Sequence, residues 1–194
     1  MATSQAAKRL RKLADQIPED RVVWDALQVL LEDHSPWADH AIALLGSSYV
    51  EKALELSIKS RFLHLNKSEQ EALFSFEKHG PLSDLSSRIK MAYALDIIGP
   101  RTRDDLEHMR TVRNAFAHAL TPVGFEITEV SDICEILFTH NDMGLLGRWA
   151  GGESSWARYI NTTLGIATKL KNTMVKRDVM VMHDGRAFPV RFLP

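Results

Sequence analysis

The residues best suited to chemistry lie in one run, Arg110-Thr111-Val112-Arg113-Asn114-Ala115-Phe116-Ala117-His118. Histidine moves protons near neutral pH, and a guanidinium neutralises charge growing on a phosphate. The order Arg113-Asn114-x3-His118 could therefore cleave RNA by attack of a 2′-OH on the adjacent phosphate. In that reading Arg113 and His118 are catalytic, Asn114 orients, and neither a metal nor a cofactor is needed. Spacing restricts the idea. Five residues at about 100° each set Arg113 and His118 about 140° apart around a straight helix. They meet at one substrate atom only if the helix ends or bends before His118, or if a second subunit supplies its own copy. A structural reading competes. Arg113 falls on the stripe Leu106, Met109, Arg113, Phe116, Leu120, where it would need a carboxylate such as Glu51 or Glu55. His118 would cap carbonyls at the helix end, where a cation is favoured. Asn114 lies one turn before His118, in a row with Arg103, Glu107 and Arg110. An arginine and a histidine five apart arise often by accident, so spacing alone favours the structural reading.

The elements that must position these side chains are helices. Glycine and proline are sparse, and apolar residues recur every three or four positions. The periodicity predicts a helix from about Arg21 to Asp33, broken by Ser35-Pro36. A long helix follows from Trp37 to Leu65, with Ala41, Leu44, Leu45, Ala53, Leu54, Ile58 and Phe62 inward. Gly46-Ser47-Ser48 in its middle would let a neighbouring helix approach closely. Ser68 with Glu71 reads as a capping box for a helix to Glu77, stopped by His79-Gly80-Pro81. A helix from Ser83 to Ile98 has two apolar faces and is expected at the centre of the bundle. Thr102 with Asp105 reads as a capping box for the helix to Ala119. Further helices are predicted over Glu129 to Thr139 and Ser155 to Lys171. The end, Val179 to Met182, Asp184-Gly185 and Ala187 to Phe192, reads as a β-hairpin. The expectation is an all-α helical bundle with a small C-terminal β-hairpin: a basic arm or helix over 1–20, a helical domain over 21–173 and the hairpin extension over 174–194.

Composition sets the class. The 194 residues carry 24 Lys+Arg against 25 Asp+Glu, a net charge of −1, with 45% hydrophobic and 25% charged residues. That excludes disordered and collagenous chains, and it argues against a whole-surface footprint for nucleic acid. No run nears the roughly 18 apolar residues a membrane-spanning helix requires. A single cysteine, Cys134, allows no internal disulfide and no Cys-based zinc site, which fits a reducing, cytoplasmic setting. It is expected to be buried and inert on an apolar face. Lys8, Arg9, Arg11 and Lys12 are expected on an amphipathic helix whose Leu10 and Leu13 touch one surface. His34, Asp39, His40, His64 and His79 lack the spacing of a metal site, and Asp33 to His40 is read as a corner with Trp37 packed beneath it. Lys169, Lys171, Lys176 and Arg177 are read as a solvated cluster.

Several blocks resemble the mannitol operon repressor (MltR-like) family. These are Asp33 to His40, Tyr49-Val50-Glu51-Lys52-Ala53-Leu54-Glu55, Gly80-Pro81-Leu82-Ser83, Ser87 to Leu95, Ile98-Gly99 and Arg110 to His118. The resemblance spans about Leu27 to Leu137. It implies a mostly helical regulator, thought to repress sugar-alcohol operons, without a recognisable DNA-reading motif. Such a protein would act as a homodimer through an unidentified protein partner, with weak nucleic-acid contact at most. Arg113-Asn114-x3-His118 is also similar to the R-polar-x3-6-H signature of HEPN domains, helical bundles that include metal-independent ribonucleases acting as dimers. A regulator that binds a partner is the first expectation, and a HEPN-like endoribonuclease using His118 and Arg113 is the alternative.

Overall fold

A computed structural model describes residues 5, 6, 9, 10, 13, 18–33, 35, 37–62, 65–139, 153–175, 180–183 and 186–189. Among the described residues from Asp20 to Val175 the regular elements are all helical. These are α1 (Asp20–Glu32), α2 (Ala38–Lys59), α3 (Lys67–Phe74), α4 (Leu85–Ala94), α5 (Pro100–His118), α6 (Thr128–Glu135) and α7 (Ser155–Val175).

α2 is the hub of the bundle, packing against α1, α4, α5 and α7, and the most enclosed stretch of chain lies in α7. Every residue from Tyr159 to Ala167 is buried, and a helix buried all round must be enclosed by its neighbours. This corrects the expectation for α4, which buries Arg88, Ile89 and Ala92 but leaves Tyr93 on the surface. The chief partner of α7 is α2. A Cβ at Gly46 would stand 3.2 Å from Thr163 Cγ2 and 3.4 Å from Tyr159 Cε1. The small residue thus permits the close crossing, as its place in the sequence suggested. Tyr159 donates to the Ala43 carbonyl at 3.0 Å across the same contact.

Helix ends depart from expectation for local reasons. α2 stops at Lys59 instead of Leu65, because the amides of Arg61 and Phe62 turn to carbonyls three residues back and tighten the chain out of the helix. Its buried face in the first half is Ile42, Ala43, Gly46, Tyr49 and Val50, while Ala41, Leu44 and Leu45 are half-buried. The capping box of α3 is Asn66 with Glu69, two residues earlier than predicted; Asn66 Oδ1 accepts from the Glu69 amide at 3.0 Å, and Glu69 Oε2 from the Asn66 amide at 2.7 Å. α5 starts at Pro100, whose fixed φ and missing N–H suit the first helical position. Asp105 is therefore no cap. It is buried and accepts from the amides of Phe138 and Thr139, both at 2.8 Å, fastening the chain after α6 to α5.

After α3 the chain reverses through His79, whose φ is 51°. Gly80 follows because a Cβ there would lie 2.4 Å from the Leu73 carbonyl oxygen. Its amide donates to Ser75 and that of Leu82 to Leu73. This reversal delivers α4 alongside α5. The corner before α2 does a similar task for the far end of α5. Asp39 Oδ2 accepts from the Phe125 amide and His40 Nε2 from the Val123 amide, both at 2.9 Å. Trp37 is not packed beneath this corner; it is half-exposed with its ring 4.9 Å from that of His40. Leu10 and Leu13 are exposed.

Candidate functional site

The site grows from a buried charge at the foot of α4. Leu85, Ile89 and Ala92 form the inward stripe of α4, and Arg88 interrupts it. A buried guanidinium must have its donors satisfied. Arg88 Nε donates to the Leu82 carbonyl at 2.8 Å, Nη1 meets Glu51 Oε1 at 3.0 Å, and Nη2 lies 3.3 Å from Glu55 Oε2. Lys52 and Lys59 complete the network around Glu55. Burial alone would raise the Glu55 carboxyl, but the hydrogen bond from Lys59 and the charges of Arg88 and Lys52 hold it below the usual range. Glu51 goes the other way: burial pushes it up further than Arg88 and Arg113 pull it down.

Above this network lies a groove of about 290 Å³. Glu51 of α2 forms its floor. Ser83, Asp84, Leu85 and Ser86 at the start of α4 form one wall, Arg110, Arg113 and Asn114 of α5 the other, and Phe76 stands at the rim. Asp84 caps α4, accepting from the Ser87 amide at 3.0 Å and its hydroxyl at 2.7 Å, and those bonds hold its carboxyl low. Arg110 pairs with Glu107 at 2.8 Å.

The three residues singled out by sequence part company here. Arg113 and Asn114 are half-buried on the groove wall, and Arg113 Nη1 donates to Asn114 Oδ1 at 3.0 Å. His118 is the last residue of α5, exposed, and not among the residues lining the groove. α5 runs on through His118, so the angular separation of the helix applies.

Two expectations need correction. The α5 face turned to the core is Asp105, Leu106, Met109, Val112 and Phe116, so Arg113 stands at its edge rather than in it, and Leu120, past the helix end, is exposed. Glu51 and Glu55, foreseen as partners for Arg113, form their ion pairs with Arg88 instead. A signal for Arg88 was present: a charge at an inward position of the apolar repeat of α4. The groove contributions of Glu51, Ser83, Asp84 and Ser86 had no such signal.

Other candidates resolve into structure. Lys171 is not solvated: it meets Asp20 Oδ1 and the Tyr49 hydroxyl, each at 3.0 Å, tying α7 to α1 and α2. Lys176 and Arg177 lie outside the described residues, as do His34 and His64. Among the described residues no group of three or more His, Cys, Asp or Glu could hold a metal, and no helix is long and apolar enough to cross a membrane. Burial pushes the Cys134 thiol up to about 12, which leaves it protonated and unreactive at neutral pH.

Compared with known proteins, the chain matches no family model, no curated protein and no solved structure at a significant level.

Proposed function

We propose that the chain is a cytoplasmic regulatory protein of the MltR-like kind, a homodimer that influences transcription by binding a partner rather than by reading DNA. The observation that carries this reading is the division of the motif. The groove gathers the hydrogen-bond donors Arg113 and Asn114 and omits His118, the group that would move a proton. Recognition needs the first two, whereas cleavage needs all three in reach of one phosphate. The blocks that carry the MltR resemblance support it too. Tyr49 to Glu55, Gly80 to Ser83, Ser87 to Leu95 and Arg110 to His118 contribute Glu51, Ser83, Arg88, Arg110, Arg113 and Asn114 to the groove or to the ion network beneath it. A C-terminal β-hairpin belongs to the same reading, with the extended segments Met180–His183 and Arg186–Pro189 in antiparallel register, Met182 opposite Ala187.

The experiment is a pair of assays on purified chain. Labelled mixed-sequence RNA in EDTA is expected to stay intact, and DNA at physiological salt is expected to bind weakly and without sequence preference. Tight sequence-specific DNA binding would overturn the reading. So would RNA cleavage abolished by both His118→Ala and Arg113→Ala, the outcome for the HEPN-like ribonuclease with His118 supplied across a dimer.

A further inference from the structure

α1 carries two apolar rows, and the bundle uses one. Val23 and Leu27 are buried in the core, with Leu30 packed beside them. Val22, Ala26 and Val29, at spacings of four and three along the neighbouring face, are all exposed, the two valines at 57% and 67%. Single exposed apolar residues are ordinary, but a row at this spacing is the pattern of a helix that packs on a second side. Valine also forms helix less readily than alanine or a long polar residue, and no burial offsets that here. The face is acidic as well. Residues 19–33 hold five acids and one base. Arg21 pairs with Asp25 at 2.9 Å and Lys171 with Asp20 at 3.0 Å. Glu19, Glu32 and Asp33 are left without a cation among the described residues, Asp33 accepting only from the amide and hydroxyl of Ser35.

The segment before α1 has the complementary character. It carries Lys8, Arg9, Arg11 and Lys12 with no acid before Asp15. Ala6, Leu10 and Leu13 are helical and repeat the same spacing of four and three, so they share one face. All three are exposed in the single chain, Leu10 at 67% and Leu13 at 64%. Both rows are thus left in water when the chain is alone.

We infer that two copies of this chain exchange these segments: residues 6–13 of each lie along the outer row of α1 of the other, Ala6, Leu10 and Leu13 against Val22, Ala26 and Val29, with the bases set among the acids of that face. Lys171 Nζ holds the Pro18 carbonyl at 3.4 Å, so the segment leaves the bundle at the start of α1. Residues 14–19, which join it to α1, span at most about 20 Å, enough to cross to a helix lying beside α1. A two-fold axis makes the exchange reciprocal, and it closes at two copies. Two short contacts bury less than a standard interface, so the dimer is weak and, resting partly on charge, sensitive to salt. The inference rests on the homodimer of the proposed function, whose interface it places, and uses nothing of the groove.

The test is sedimentation equilibrium of the full chain, with the Ala26 amide followed by NMR through a dilution series. Self-association is expected with a Kd in the micromolar range, weakened severalfold between about 0.05 and 0.5 M NaCl. Leu10→Ser with Leu13→Ser, and separately Val22→Ser with Val29→Ser, should each weaken it about tenfold or more. These four side chains are exposed, so the fold should hold, which circular dichroism checks. Lys8→Glu with Lys12→Glu should also weaken the dimer, as should Glu19→Lys with Glu32→Lys, and a chain carrying both pairs of reversals should recover to within a few fold of wild type. A dimer unchanged by both serine pairs would overturn this interface and leave a homodimer through another face. A chain that stays monomeric would overturn the interface and the homodimer together, with the reading of the groove untouched. An Ala26 signal moved by Leu10→Ser with Leu13→Ser at dilutions where the chain is monomeric would place the segment on its own α1 and contradict the exchange.

Discussion

Arg88 Nη1 stands 3.0 Å from Glu51 Oε1, so the same carboxylate that floors the groove is held from below by α4. The pair ties the shape of the site to the stability of the bundle. Removing Arg88 would leave Glu51 and Glu55 near each other in a partly dry setting, with Lys52 and Lys59 meeting the second.

Arg88→Met is therefore expected to destabilise the protein by about 3–5 kcal/mol, as when one partner of a buried ion pair is deleted. Urea unfolding followed by circular dichroism measures it. Arg88→Lys should recover part of the loss, since it restores charge but not the several directed bonds of the guanidinium.

Arg113→Ala and His118→Ala should each cost less than about 1 kcal/mol, because one is half-buried with a neutral partner and the other is exposed. The same unfolding curves check this. The contrast with Arg88 lets a loss of function at Arg113 be read as a loss at the groove and not of the fold.

At Gly46 a valine is expected to cost about 1–3 kcal/mol, since its methyl groups must displace Thr163 and Tyr159 where even a Cβ stands 3.2 Å from Thr163 Cγ2. Alanine should cost less, because a gain of about 1 kcal/mol in helix propensity offsets part of the crowding. Thermal denaturation of the two variants ranks them.

Asp20 sets a pH dependence. Burial raises its carboxyl, but bonds from Tyr49, Lys171 and Thr168 outweigh burial and hold it below the ordinary value of 3.8. A carboxylate lowered on folding contributes stability that is fully present above its unfolded value and lost as pH falls through the folded one. Glu55 acts with the same sign from 4.5 downward, while Glu51, which folding raises, acts with the opposite sign. Stability should thus fall as pH drops below about 4. Asp20→Asn should flatten that fall and lower the melting temperature at pH 7, measured by thermal scans across the acid range.

Much of the architecture was legible because it rests on local rules. The apolar repeat located α1, α5 and the start of α7, and Gly46 marked the close crossing of α2 with α7. What escaped were features fixed by distant chain. Asp105 reads locally as a cap, and only the fold brings Phe138 and Thr139 to it. Asp39 and His40 read as part of a corner, and only the fold brings them the amides of Phe125 and Val123, more than 80 positions away. The burial of α7 was hidden because Asn161, Thr162 and Thr163 are polar yet buried. In the site, helical geometry separated His118 from Arg113 correctly, but the wall opposite Arg113 depends on how the Gly80 turn seats α4, and no periodicity encodes that.

The most direct measurement is of transcripts in the host after deleting the gene and restoring it with wild type, His118→Ala or Arg113→Ala. If the groove recognises a partner and catalyses nothing, transcript levels change on deletion, return to normal with wild type and with His118→Ala, and stay altered with Arg113→Ala. Failure of His118→Ala to restore them, at normal protein abundance, would contradict the account and return the motif to catalysis.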